Sequence, residues 1–318
     1  MKTMTLALAV LLFGCGNSSP VGGGDDVDAA VGGDGMKQID APATGGAFTV
    51  FTIVLENHDY AEIVGSSNAP YINSLIAQGG LATKYKDTIH PSLGNYLFMI
   101  SGANQYAGFI DLDPVTVGFF PVDKPNLGTQ LQTAGVKWRS YQESMGTPCR
   151  LTSSGKYAPK HDPFLYFTDM QTGPSDLCKQ TNVDYSQFAA DLATNDYRYM
   201  WITPNLDSDG HDPSGDPVAA LKHSDMWMSQ EVPKILASDG YNNGGVLLIL
   251  WDEAAARNGD DPDQVPMIVV SKKIKQAGMT TATPMDHGAY LATVEELLEL
   301  PRLATVTTSP TLMDMLNP

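Results

Sequence analysis

Four short apolar runs, three of them closing on polar clusters, constrain this chain most. FTVFTIVLE (48–56), YRYMWITPN (197–205), GGVLLILWDE (244–253) and VPMIVVS (265–271) are rich in β-branched residues, as strands buried on both faces are. Between them PYINSLIAQG (70–79), NLGTQLQTAG (126–135), DPVAALKHSDMWMSQEVPKILAS (216–238) and GAYLATVEELLEL (288–300) carry helical patterns. Alternation of this kind predicts an α/β fold, a mostly parallel sheet with helices on both faces. Ligands of such sheets sit beyond the carboxyl ends of the strands. Polar clusters fall there: Glu56-Asn57-His58 after the first run, Asn205 and Asp209-Gly210-His211-Asp212 after the second, and Asp252-Glu253 at the end of the third.

A chain of 318 residues, 42% hydrophobic, can bury a large core in one big α/β domain or two ordinary ones. No internal repeat is present, which favours one catalytic domain over 48–318. Residues 1–14 have the basic start and short apolar stretch of a secretory signal, too short to span a bilayer. LFGC resembles a bacterial lipobox, which implies cleavage before Cys15 and lipidation of its thiol; the alternative is an ordinary signal peptide that happens to contain a cysteine. The lipidated form would be tethered at the outer membrane, the cell surface or the periplasm, with the lipid as its sole membrane contact. Residues 15–47 are Gly-, Asp- and Ala-rich and read as a flexible tether.

Cys149 and Cys178, in a chain whose leader directs it to an oxidising space, are expected to pair, since their spacing matches no zinc pattern. A formal charge of −17 is too acidic for a nucleic-acid partner, which demands clustered Lys and Arg.

Two adjacent acids at a strand end repel each other unless a cation lies near. Asp252-Glu253 with Glu56-Asn57 would supply oxygen ligands for a divalent ion; the alternative is helix capping by the acidic pair and a lysine partner for Glu56. Five of the six histidines sit beside polar or Pro/Gly-rich turns rather than inside apolar runs, and His223, in the long helix, reads as structural. His211 stands out because DGHD sets its imidazole between carboxylates that raise its pKa. Ser92, in HPSLGNY, is either the N-cap of the helix after it or a nucleophile. The strand-like ATKYKDTI leads into it, and Gly94 would let backbone approach a ligand closely.

Taken together, the motifs resemble the phosphoesterase family of the alkaline-phosphatase-like superfamily, which includes acid phosphatases and phospholipases C. VLENHDY is similar to its opening E-N-H/R motif, HPSLGNY…SG to H-P-S-x-P-N-Y…S-G, and KYAPKHDPF to Y-x-x-K/R-H-N-P-F/W. PNLDSDGHD resembles P-N-x-x-x-D-x-H-D, LLILWDE the strand ending in W-D-E, and DHGAYLATVEELLELPRL the terminal D-H-x-S-x-L-x-T-I-E-x-x-L-G-L-P. The resemblance implies an alkaline-phosphatase-like fold and one divalent metal ion held by Glu56, Asn57, Ser92, Asp252 and Glu253. Ser92 would also be the nucleophile, Asn95 and His90 would contact the phosphate, and His211, His287 and His161 would act on the phosphoryl or leaving-group side. The short chain looks closest to acid phosphatases acting through a phosphoserine. The substrate would be a small phosphorylated molecule or a phospholipid or phosphoinositide headgroup. A phospholipase C-type phosphodiesterase and a non-catalytic surface lipoprotein are the alternatives. Gly94 replaces the usual proline, AAARNG a glycine-rich stretch after W-D-E, and Gly288-Ala289 alter the terminal D-H-x-S.

Overall fold

A computed structural model describes residues 48–105, 111–173, 176–211, 215–255 and 263–318. The expected signal peptide, Cys15 and the tether lie outside the described residues.

The apolar runs form the middle of one eight-stranded sheet. Its strands are β1 (Val50–Leu55), β2 (Gly80–Ala82), β3 (Trp138–Gln142), β4 (Asn182–Asp184), β5 (Tyr199–Thr203), β6 (Val246–Trp251), β7 (Met267–Ser271) and β8 (Met279–Thr281), in the order β4-β3-β5-β1-β6-β7-β2-β8. Every residue of β1, β5, β6 and β7 is buried, which is why these runs show no alternation. β1 pairs in parallel with β5 and β6, so Leu55 lies opposite Trp251 and Ile53 opposite Ile202. β7 alone runs against its neighbours, β6 and β2.

Five of the helices are α1 (Pro70–Gln78), α2 (Ser92–Ser101), α3 (Leu127–Thr133), α4 (Pro217–Ala237) and α5 (His287–Leu297). α1 packs on α4 and α2 on α5, flanking the sheet. The N-terminus of α1 has no side-chain cap of its own, and the buried Asp225 of α4 takes that place. It accepts from the amides of Tyr71 at 3.2 Å and Ile72 at 2.8 Å. Tyr290 of α5 reaches the sheet, where its hydroxyl meets Thr52 of β1 at 2.9 Å and Tyr199 of β5 at 2.8 Å. Cys149 and Cys178 form a disulfide that ties the loop after β3 to the segment before β4. Among the described residues no helix is long and apolar enough to cross a membrane.

Candidate active site

Because β5, β1 and β6 are parallel neighbours, their carboxyl ends open on one rim, and the polar clusters meet there. The Asp252 amide donates to the Leu55 carbonyl at 3.0 Å, continuing the β1–β6 ladder one step, and the Glu56 amide donates to the Asp209 carbonyl at 2.7 Å, in the loop after β5. Asn57 turns out of the sheet with a left-handed backbone, φ 58°, a region asparagine tolerates better than most residues. Gly210 has φ +107°, and a Cβ there would lie 2.8 Å from the Glu56 carbonyl oxygen. Only glycine lets the Asp209–His211 turn lie this close to Glu56.

Ser92 is the first residue of α2, with Pro91 at the N-cap position and no side-chain cap. The capping alternative therefore does not apply. Its hydroxyl lies instead 3.3 Å from Glu56 Oε2 and 3.3 Å from Glu253 Oε1. Lys160 Nζ lies 3.5 Å from the same hydroxyl and donates to Asp111 Oδ2 at 2.6 Å. Gly94 does not open a path for ligand: a Cβ there would meet the Ile89 side chain at 2.6 Å, so glycine serves packing between the helix and its lead-in loop. Asn95 binds that loop as well. Its oxygen accepts from the Thr88 amide, the Thr88 hydroxyl and the Ile89 amide, while its NH2 group donates to the Ile89 carbonyl and reaches Glu253 Oε2 at 3.5 Å.

Of the expected metal set, Glu56 and Glu253 lie against this hydroxyl, and Asn57 links Glu253 to Asp252. Asn57 Nδ2 is 3.4 Å from Glu253 Oε1, and its amide nitrogen donates to Asp252 Oδ1 at 3.3 Å. A second group shares Glu56: the ligand atoms of Glu56, His161 and Asp209 lie within 4.8 Å of one another and could hold a divalent ion. Asp209 was not among the expected ligands, although the D-x-H spacing singles it out. The buried atoms Glu56 Oε1, His161 Nε2, Asp209 Oδ2 and Asp252 Oδ2 have no hydrogen-bond partner. Glu56 Oε1 and His161 Nε2 are 2.7 Å apart, close as an ion pair but poorly aligned as a hydrogen bond. The orphaned oxygens of Glu56 and Asp209 and the orphaned His161 nitrogen, gathered at one buried point, fit a divalent cation.

Charge at the site points the same way. Burial and then the Glu56 and Glu253 charges hold Asp252 well above the usual carboxylate range, while burial and Glu56 push Glu253 up to about 8 and Asp209 up to about 6. For Glu56, burial works upward but is outweighed by the charges of His161 and Lys160, leaving it well below that range. Glu56 is thus ionised beside Asp252 and Glu253, which burial and like charge push toward their protonated forms, and a cation among them would favour the ionised form of all three.

The histidines divide by environment. His211, 47% exposed, meets Glu56 Oε2 through Nδ1 at 3.0 Å, and that bond outweighs burial to raise its pKa. His90 lies at the mouth with Nδ1 2.9 Å from Glu253 Oε2. His223 is exposed on α4. His58, His161 and His287 are buried despite their turn-like surroundings, each beside a carboxylate or carbonyl: His58 by Glu62, His161 by Glu56 and His287 by the Asp252 carbonyl. His287 Nε2 lies 2.7 Å from that carbonyl and Nδ1 2.8 Å from the Tyr85 hydroxyl. Burial pushes it down to about 4, so it is neutral and both ring nitrogens are engaged behind the end of β6. His161 stacks on Tyr96, ring centroids 5.2 Å apart. Lys160 and Asp111 were missed; Lys160 precedes His161 in a recognisable motif, whereas nothing local marks Asp111.

Across residues 66–301 the sequence matches the Phosphoesterase family. The chain belongs to that family. A phosphatidylinositol-3-phosphatase of Mycobacterium tuberculosis is 29% identical over 271 residues, 84% of this chain and 82% of that protein. A probable acid phosphatase of Kluyveromyces lactis is 26% identical, covering 87% of this chain and 65% of that protein. A solved alkaline-phosphatase-superfamily protein from Vibrio parahaemolyticus superposes with a TM-score of 0.57 at 12% identity, over 82% of this chain and 69% of the other. The last likeness concerns the fold, an alkaline-phosphatase-like one, whereas the first two make this phosphoesterase a phosphoester hydrolase.

Proposed function

We propose that this chain is an exported, metal-dependent phosphoric monoester hydrolase that acts through a phosphoseryl intermediate on Ser92. Its catalytic domain would span 48–318, with 1–14 as signal peptide, Cys15 as the lipid attachment point and 15–47 as tether. One observation carries the reading: the Ser92 hydroxyl lies at the start of a helix, 3.3 Å from each of two buried carboxylates whose neighbours include orphaned ligand atoms. A hydroxyl so placed can lose its proton to a carboxylate while the helix N-terminus favours negative charge beside it.

Glu56, Asn57, Asp252, Glu253 and Ser92 would hold one divalent ion, with His161 and Asp209 on the far side of Glu56. The ion would supply positive charge to the hydroxyl and to the phosphoryl oxygens. Ser92 Oγ attacks phosphorus in line and its proton passes to Glu56, the ionised carboxylate 3.3 Å away. Lys160, fully charged because Glu56 and Asp111 outweigh the effect of burial, stabilises the equatorial oxygens. His211, half exposed and biased toward its protonated form, protonates the departing alkoxide; a water then cleaves the Ser92–phosphate bond. Asn95 and His90 line the phosphate side through Glu253, and His287 acts on the reaction by fixing Asp252.

Likeness to the phosphatidylinositol-3-phosphatase supports a phosphoinositide headgroup among the substrates. The test is hydrolysis of p-nitrophenyl phosphate and short-chain phosphatidylinositol 3-phosphate against phosphatidylcholine, with and without a chelator. Chelator-sensitive release of phosphate from the monoesters is expected. Phosphocholine as the main product would establish the phospholipase C alternative, and turnover of none of them the non-catalytic one.

A further inference from the structure

We propose that Asp111 competes with the substrate for the phosphate donors beside Ser92 and so sets the charge of the ester that the site accepts; this rests on the hydrolase reading above. Leu93, in the first turn of α2, has an amide with no partner inside the helix. It donates to Asp111 Oδ1 at 3.0 Å. The other carboxylate oxygen takes the Lys160 ammonium at 2.6 Å, and that ammonium is 3.5 Å from Ser92 Oγ. One carboxylate thus spans the two donors that flank the nucleophile, a lysine and a backbone N–H at a helix start, with its two oxygens spaced as those of a phosphoryl group would be.

The arrangement has a cost. A phosphoryl group joined to Ser92 Oγ must direct oxygens toward Lys160 and the Leu93 amide, where Asp111 already is. A dianionic monoester meets a like charge there that it must displace, in a site already crowded by Glu56, Asp252 and Glu253, and Asp111 is itself among the charges that raise Glu253. A monoanionic diester meets less repulsion. Asp111 and Lys160 are each about a fifth exposed at their side chains (23% and 18%), so the carboxylate has room to swing outward when a stronger anion arrives. Asp111 thereby narrows the preference of the site for doubly charged esters and weakens its hold on the product, inorganic phosphate.

The experiment uses the full-length protein with saturating divalent cation. Binding of inorganic phosphate is measured by calorimetry, and kcat/KM for p-nitrophenyl phosphate and bis-p-nitrophenyl phosphate is compared in the wild type, Asp111→Asn and Asp111→Ala. Removing a like charge a few ångströms from the bound anion should tighten phosphate binding about tenfold and raise the monoester-to-diester ratio by a similar factor. A residue that only positions Lys160 would instead lower kcat on both esters alike and weaken phosphate binding. That result, or unchanged phosphate affinity in both variants, overturns the proposal. If the wild type hydrolyses neither ester, the hydrolase reading fails by itself, and calorimetry still decides whether Asp111 competes with phosphate.

Discussion

Asp162 should make this protein less stable as pH rises, and Asp162→Asn should remove the effect. Its side chain is fully buried beside the site, directly after His161 in the chain. Ser140 donates to Oδ1 at 2.9 Å, whereas Oδ2 has no partner. Burial, only partly opposed by the Ser140 bond, pushes the carboxyl from 3.8 up to about 8. The native protein then keeps a proton that the unfolded chain releases near 3.8. Above that value the unfolded state binds fewer protons, so stability falls by about 1.4 kcal/mol per pH unit and levels off once the native carboxyl ionises near 8.

At pH 7 the loss amounts to about 4 kcal/mol, and at pH 5 to less than 2 kcal/mol. An asparagine keeps an oxygen for Ser140 and carries no charge in either state. Its unpaired NH2 replaces an equally unpaired O–H, so the exchange adds little burial cost. The KYAPKHDPF segment resembles a motif with asparagine at this position, so the backbone should accept it. Urea unfolding of wild type and variant at pH 5 and pH 7 measures the gap. The variant should be the more stable at pH 7 by roughly 2–4 kcal/mol, with the gap narrowing by more than half at pH 5. A gap of the same size at both pH values would refute the reasoning, because a packing difference does not titrate.

Ser92→Ala should lose several orders of magnitude in kcat with an unchanged melting temperature, and excess divalent cation should not restore it; Asp252→Asn should regain activity in part as cation is added. Cys149→Ser should cost about 3 kcal/mol by opening a loop of sequence separation 29, read by denaturant unfolding and reproduced in the wild type by reductant. Cys15→Ser should move the exported protein from the detergent phase to the aqueous phase, and unchanged partitioning would remove the lipid anchor from the proposal.

How much of the fold is legible in the sequence depends on how far each signal reaches along the chain. β1, β5, β6 and β7 are visible because burial on both faces leaves a local mark, and Glu56 and Asp252-Glu253 become candidates because they come directly after such marks. β2, β4 and β8 are three residues each, GLA, NVD and MTT, and exist through their neighbours' hydrogen bonds rather than their own composition. β3, WRSYQ, carries an arginine in an otherwise buried strand, which hides it among the polar segments. ATKYKDTI reads like a strand, yet regular pairing ends at Ala82, with isolated bridges at Tyr85 and Lys86 beyond it. The reversal of β7 has no local signature at all, since a fully buried strand reads alike in either direction.

The histidines show the same limit from the side of chemistry. Turn-like neighbours in sequence make His161 and His287 look solvated, because burial of an imidazole depends on what the rest of the chain brings to it. For His287 that is the carbonyl of Asp252 and the hydroxyl of Tyr85, 35 and 202 residues away. Its N–H can therefore anchor the backbone of Asp252 just past the end of β6, and a neutral ring serves this better than a charged one, which burial disfavours. A motif can mark such a histidine as belonging to the site. Whether it touches the phosphate or holds a residue that does is decided by partners that only the folded sheet supplies.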